Sequence, residues 1–328
     1  MKTILGGAEI IPLCAQLIRE GEVVGFPTET VYGLGADALN EEAVKKIYVA
    51  KGRPSDNPLI VHVPNVEEAR KAAEVSPLAE TLFSVFSPGP LTIVLPKKDK
   101  IPYTVTAGLD TVGIRIPSHP IAREFLEACK TPVAAPSANL SKRVSPTTAD
   151  AVFDDMNGRV PAIIDGGPCS VGIESTVLSL VGDPTILRPG GITEEMLRPY
   201  LPSVKLFSGK VKVAPAPGMK YKHYAPIVPC ILYGSVRGAE REYLLRTGKG
   251  EKVVVLSRKK NLPYWEERGI FCMNVGDSGE EFASNIFRLL RYCEKLFDAI
   301  LVEKPGVGGI ESSLMDRLGK SCGGREVE

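Results

Sequence analysis

The 328-residue sequence is poor in histidine, with three, and its seven cysteines include no CxxC pair. Zinc knuckles and disulfide frameworks need closely spaced or paired thiols, so these scattered cysteines read as small buried hydrophobes. His62, His119 and His223 are too dispersed for a histidine-rich centre, and no resident metal is expected. There is no run of eighteen apolar residues, and Met1–Gly7 lacks the apolar core of a secretory signal. The expectation is a cytoplasmic protein without membrane contact. Charge of one sign is also missing. Forty Lys and Arg face thirty-nine Asp and Glu, which excludes holding nucleic acid by bulk charge.

At roughly 150 residues per domain, the length suggests two domains. From residue 1 to about 205, apolar strands alternate with amphipathic stretches. Strands are predicted at 22–26, 59–63, 91–95, 112–116, 162–164 and 176–181, and helices at 12–20, 41–50, 77–86, 120–129 and 148–156. This is an α/β pattern. Residues 206–226 break it with Pro215, Pro217 and Pro226 around Gly218, and read as a linker rich in anion-binding and stacking groups. Alternation resumes over 227–328, with strands at 228–233, 253–256 and 299–302. A helix runs from Gly279 behind the capping box Ser278/Glu281, and another lies near 310–318. Gly306-Val307-Gly308-Gly309 is not a dinucleotide fingerprint. Residues 1–205 hold 20 Lys and Arg against 24 Asp and Glu, and 206–328 hold 20 against 15. The second half is mildly basic, which leaves open a weak contact with RNA.

Chemistry concentrates in five runs. Lys51-Gly52-Arg53, followed by Asn57-Pro58-Leu59 and His62, places a compact cation and a planar fork on a proline-stiffened connection suited to a triphosphate. An ordinary basic loop with a packed histidine fits the same residues. Pro27-Thr28-Glu29-Thr30-Val31-Tyr32-Gly33 leaves a strand with two hydroxyls and a carboxylate, which either orient a substrate or satisfy their own turn. Thr111-Val112-Gly113-Ile114-Arg115 puts an arginine inside an alternating strand, where it meets a buried protein carboxylate or awaits a ligand carboxylate. Ala135-Pro136-Ser137-Ala138-Asn139, with Ser145 beyond it, is bare and hydroxyl-rich. Glu174-Ser175-Thr176 and Leu187-Arg188 add a hydroxyl pair and another guanidinium. None of these is a Walker loop, a GxSxG elbow or a kinase signature, and Ser137 has no evident triad partners. Together they describe a cationic, hydroxyl-lined pocket for a phosphate ester and a small carboxylate.

These runs, with Ser87-Pro88-Gly89-Pro90-Leu91-Thr92, resemble the YrdC/Sua5 family of threonylcarbamoyl-AMP synthases, and Lys220–Pro226 with the second domain resembles its long Sua5 form. The resemblance implies a YrdC-like twisted α/β sheet with a positive cavity over 1–205, a linker or lid over 206–226, and a smaller Rossmann-like Sua5 domain over 227–328. It implies synthesis of L-threonylcarbamoyladenylate and pyrophosphate from L-threonine, bicarbonate or CO2, and ATP, with Mg2+ entering on ATP. The product serves tRNA t6A37 modification through a tRNA threonylcarbamoyl-transferase machinery. Carried onto this chain, Thr30, His62, Arg115 and Ser175 hold threonine, with Arg115 on its carboxylate. Lys51, Arg53, Asn57, Thr111, Ser137, Ser145 and Arg188 line the ATP site, with Lys51 and Arg53 taking the main catalytic charge. His62 positions threonine first and serves as a base second. Tyr221, His223 and Tyr224 lie over the cavity as a lid. Two rivals are an RNA-binding module without chemistry and a carbamoyl transferase acting through carbamoyl-adenylate.

Overall fold

A computed structural model describes residues 2–209 and 224–328. They fall into two compact units, 2–141 with 145–209, and 142–144 with 224–328.

The first unit is built on one eleven-stranded mixed sheet. Across it run Ile4–Gly6, Ala162–Ile164, Val24–Phe26, Gly33–Asp37, Val133–Ala135, Ile60–His62, Thr111–Arg115, Leu91–Pro96, Thr176–Ser179, Thr185–Arg188 and Lys205–Leu206. The five predicted helices form within a residue of their expected ends, Val66–Ala72, Tyr103–Thr106 and Glu194–Leu197 were not predicted, and side chains fix several of the starts. Asn40 accepts from the amides of Glu42 and Ala43 at the head of Glu41–Lys51, and Ser76 and Thr148 cap Pro77–Phe86 and Ala149–Met156. Strands Gly33–Asp37, Val133–Ala135, Ile4–Gly6, Thr185–Arg188 and Lys205–Leu206 were not predicted as such. The first two are short and made of small residues, so no alternation marks them. Their glycines and alanines instead let the Phe26 ring and Val133 pack directly on backbone: a Cβ on Gly33 would lie 2.8 Å from the Phe26 ring, and one on Gly35 2.7 Å from Val133. Sequence reading also ended the first domain at 205, inside the last strand of this sheet.

Five strands, all parallel, make the sheet of the second unit in the order Cys272–Asn274, Val253–Ser257, Ala299–Glu303, Cys230–Tyr233, Glu326–Val327. Helix Gly279–Cys293 starts on Ser278, whose hydroxyl accepts from the Glu281 amide at 3.1 Å. The Glu281 carboxylate reaches back to the amide of Asp277 at 2.7 Å, one residue before the predicted box partner. Helix Val236–Thr247 escaped prediction because its exposed Leu244 and Leu245 blur the apolar stripe.

Residues 142–144 are packed into this second unit. Arg143 pairs with Glu294, Arg291 donates to the Val144 carbonyl from Nε at 2.9 Å, and the Ala225 amide donates to the Lys142 carbonyl at 3.1 Å. The predicted lid residues Tyr221 and His223 lie outside the described residues. Tyr224 is buried, its ring stacked on Phe287 at 5.6 Å with the Arg317 guanidinium 5.5 Å away. That ring anchors the end of the linker on the second unit.

Candidate functional site

The centre of the first sheet has two unlike faces. Val61, Ile93, Leu95, Val112 and Ile114 point into the main hydrophobic core beneath the helices. Their neighbours in sequence alternate onto the other face, which carries Ile60, His62, Thr92, Val94, Thr111, Gly113 and Arg115. Polar side chains in central strands therefore gather on one side by strand geometry alone.

At one end of this face the threonine-assigned residues form a row across adjacent strands. His62 is the register partner of Arg115, and Arg115 is the partner of Thr92. The Thr92 hydroxyl lies 2.8 Å from that of Ser175. Arg188 donates to the Ser175 carbonyl from Nε at 3.2 Å and from a terminal nitrogen at 3.0 Å, and to the Ser175 hydroxyl at 3.2 Å. The geometry therefore joins Arg188, assigned to ATP, to the threonine row. Ser145 likewise donates to Glu174 at 2.6 Å, so its hydroxyl is used within the protein.

Arg115 is 3% exposed, and one terminal nitrogen lies 2.8 Å from Glu29, whose other oxygen accepts from the Ser118 amide at 3.2 Å. Of the two readings of this arginine, a buried protein carboxylate is present. The Arg115 Nε is buried without a hydrogen-bond partner, a condition that is costly unless something completes it. His62 is buried, and burial followed by the adjacent Arg115 charge pushes it down to about 3. Its Nδ1 sits 3.2 Å from the Ile60 carbonyl, and the Val133 backbone is a second partner of the ring. A base this weak takes little of a proton at neutral pH, which favours the positioning role over general base catalysis. The Thr28 hydroxyl lies 2.9 Å from that of Thr30 and donates to the Val31 carbonyl at 2.6 Å, so Thr30 is held by its own turn.

At the other end sit most of the residues assigned to ATP. Helix Glu41–Lys51 stops because Gly52 takes φ +57°, a conformation glycine adopts without strain, and the reversal sends Arg53 back along the loop. Arg53 donates to the carbonyls of Asn57 at 3.1 Å and Pro58 at 3.4 Å. The Lys51 ammonium is buried and donates to the carbonyls of Ser137 and Asn139. Its expected role as a compact charge presented to a triphosphate is thus overlaid by a structural one: two of its three donors hold the 137–139 loop. Ser137 donates to the Asn139 side chain. Thr111 opens its strand, at the end opposite Arg115. Asn57 is 0% exposed with both amide atoms lacking a hydrogen-bond partner, and the Thr106 hydroxyl nearby is buried in the same condition. Buried polar groups left so are costly unless a ligand or water completes them.

Sequence reasoning quoted Glu29, Thr92, Asn139 and Glu174 inside motifs without assigning them, and passed over Thr106. The one available signal was Arg115 itself, since a buried guanidinium demands a carboxylate. The mild basicity of the second half also resolves. Residues 224–328 hold 16 Lys and Arg against 15 Asp and Glu, while 210–222 contain four lysines and no acid, so the surplus belongs to the linker. As for magnesium, no group of three His, Cys, Asp or Glu among the described residues is placed to hold an ion. Glu29 and Glu174 near the site are engaged by Arg115 and Ser145. This donor set does not build a resident magnesium site.

Fold and site together define an α/β protein with a buried sheet face that bears arginines and hydroxyls. A family profile described as "Telomere recombination" matches residues 16–190, and one described as "Threonylcarbamoyl-AMP synthase, C-terminal domain" matches residues 192–323. The threonylcarbamoyl-AMP synthase of Pyrococcus abyssi is 43% identical over 330 residues, covering 97% of this chain and 95% of that protein. That of Bacillus subtilis is 43% identical over 325 residues, covering 97% and 94%. The crystal structure of P. abyssi Sua5 complexed with L-threonine matches with a TM-score of 0.91 at 41% identity over 99% of both chains. The chain belongs to the Sua5/YrdC family of threonylcarbamoyl-AMP synthases, in the long form with both domains.

Proposed function

We propose that this protein makes L-threonylcarbamoyladenylate and pyrophosphate from L-threonine, bicarbonate or CO2, and MgATP, and supplies it in the cytoplasm to the enzymes that place the threonylcarbamoyl group on adenosine 37 of tRNA. The observation that carries the reading is the row His62–Arg115–Thr92–Ser175 at one end of the open sheet face, with Asn57, Arg53 and Thr111 at the other. It is supported by the full-length relatives named threonylcarbamoyl-AMP synthase and by the fold shared with a threonine-bound Sua5. Among the described residues no helix is long and apolar enough to cross a membrane.

The chemistry follows from what the residues offer. Arg115 holds the threonine carboxylate with the part of its fork that Glu29 leaves, and Glu29 keeps the guanidinium aimed. His62, neutral, orients threonine as a hydrogen-bonding ring. Asn57 and Arg53 position the nucleotide, and Lys51 sets the loop that carries Ser137. No group in the site is a strong base at neutral pH, so positioning of two bound substrates and stabilisation of charge by Arg53 and Arg188 supply most of the acceleration. The test is pyrophosphate release from ATP and bicarbonate with L-threonine, L-serine, carbamoyl phosphate or no addition. Release dependent on threonine, with the threonylcarbamoyl adduct seen by mass spectrometry, is expected. Release with carbamoyl phosphate alone, or salt-sensitive RNA binding without any release, overturns the proposal.

A further inference from the structure

We propose that Gly113 is the seam of this site, the position over which the oxygen of threonine carbamate meets the α-phosphorus of ATP, left without a side chain so that both molecules reach the sheet. The inference rests on the proposed function and adds a positioning residue to it.

Gly113 lies in a central strand, paired with Ile60 on one side and Val94 on the other. Glycine weakens such a position relative to alanine, so something must require it. Backbone conformation does not, because Gly113 lies outside the left-handed region. Internal packing accounts for other glycines of the sheet: a Cβ on Gly33 would strike the Phe26 ring at 2.8 Å, and one on Gly35 would strike Val133 at 2.7 Å. At Gly113 a Cβ would find the Thr92 methyl at 3.1 Å, Ile60 at 3.6 Å and Val94 at 4.0 Å, all side chains of the two flanking strands, so only the Thr92 methyl would have to give by a few tenths of an ångström. Gly113 is only half-buried, although Ile60, Thr92 and Val94 around it are buried. The backbone of Gly113 is thus reached from outside at a point where the side chains beside it are not.

Its place along the strand supplies the second argument. Residues 111, 113 and 115 share one face, and at about 3.3 Å per residue Thr111 and Arg115 stand about 13 Å apart with Gly113 midway. One end carries the threonine row, joined there by Arg188, and the other carries Asn57, Arg53 and Thr111 for the nucleotide, so the reacting atoms fall between them, over the middle. There the carbamate oxygen forms a bond to the α-phosphorus while the bond from that phosphorus to its bridging oxygen breaks, and pyrophosphate leaves with the electron pair. A methyl group at this point separates the two substrates without removing a single contact at either end.

The experiment uses the full chain carrying Gly113→Ala. Binding of L-threonine and of ATP, measured separately by calorimetry, is expected to stay within about threefold of the parent, while threonine-dependent pyrophosphate release falls by about 100-fold or more, the scale of a 1 Å misplacement. Thr92→Ser/Gly113→Ala, compared with Thr92→Ser alone, removes the methyl that crowds the new Cβ and controls for strain and misfolding. The same loss in the double variant supports the seam. Recovery in the double variant, turnover of Gly113→Ala within about threefold of the parent, or equal losses in binding of either substrate overturns it. If the parent releases no pyrophosphate with threonine, the proposed function itself fails. An active parent with an unaffected Gly113→Ala variant defeats the seam alone.

Discussion

Glu29→Gln tests the arrangement around Arg115 most directly. The side chains of the pair are 4% and 5% exposed and 2.8 Å apart. Replacing the carboxylate by its isosteric amide keeps the shape and leaves a buried guanidinium without a counter-charge, a change that typically costs about 3–5 kcal/mol. For a unit of this size each kcal/mol lowers the midpoint by about 2–4 °C, so the transition of the first unit should fall by about 6–20 °C in differential scanning calorimetry. Adding L-threonine then separates a structural pair from a substrate-holding one. A ligand at about 100 times its Kd stabilises by about 2.7 kcal/mol through mass action. In the variant the substrate carboxylate also supplies the charge that Arg115 has lost, so the threonine-induced shift should be larger than in the parent, and D-threonine should not reproduce it. A Glu29→Gln protein within about 1 kcal/mol of the parent, or one that shows the same threonine shift as the parent, refutes this account of Arg115.

Two further outcomes follow from buried groups. Asn57→Leu removes two amide atoms that have no partner in the folded chain, each costing about 1–3 kcal/mol, so thermal stability should rise while ATP affinity falls tenfold or more. A Leu variant that binds ATP normally in calorimetric titration removes Asn57 from the site. His62, pushed down from 6.5 to about 3, is neutral when folded and takes up a proton when unfolded across that window. The unfolded state binds more protons there, so stability is lost as pH falls, by about 1.4 kcal/mol per pH unit from this group. His62→Gln should flatten the acid limb of a stability–pH profile between pH 6 and 4. An unchanged slope places the sensitivity elsewhere.

How much of this was legible beforehand depended on what each signal measures. Helices Pro77–Phe86 and Pro120–Cys129 were read to the residue because proline at the first turn and an apolar stripe are local facts. Strand Ile60–His62 was visible as an apolar run. Strands Gly33–Asp37 and Val133–Ala135 were not, because small residues are chosen there for what packs on them from elsewhere in the chain. Among the site residues, cations and hydroxyls could be nominated from their runs, but a run does not state which groups they satisfy. Lys51 looked like a free charge and holds two carbonyls, and the run around Tyr224 did not show that its ring stacks on Phe287.

By itself the sequence determined that the chain is an α/β protein with a proline-broken joint, without resident metal ligands in series or a net field, and with arginines and hydroxyls spaced along short strands. These follow from composition and from periods of 2 and 3.6, which each segment carries alone. Only the tertiary structure decided that His62, Arg115, Thr92 and Ser175 stand in one row, that Arg115 answers to Glu29 across 86 positions of sequence, and that residues 142–144 belong to the second unit. Strand order and register set these meetings. They arise from the burial of two faces of a sheet at once, a condition that no single segment satisfies and only the assembled chain can meet.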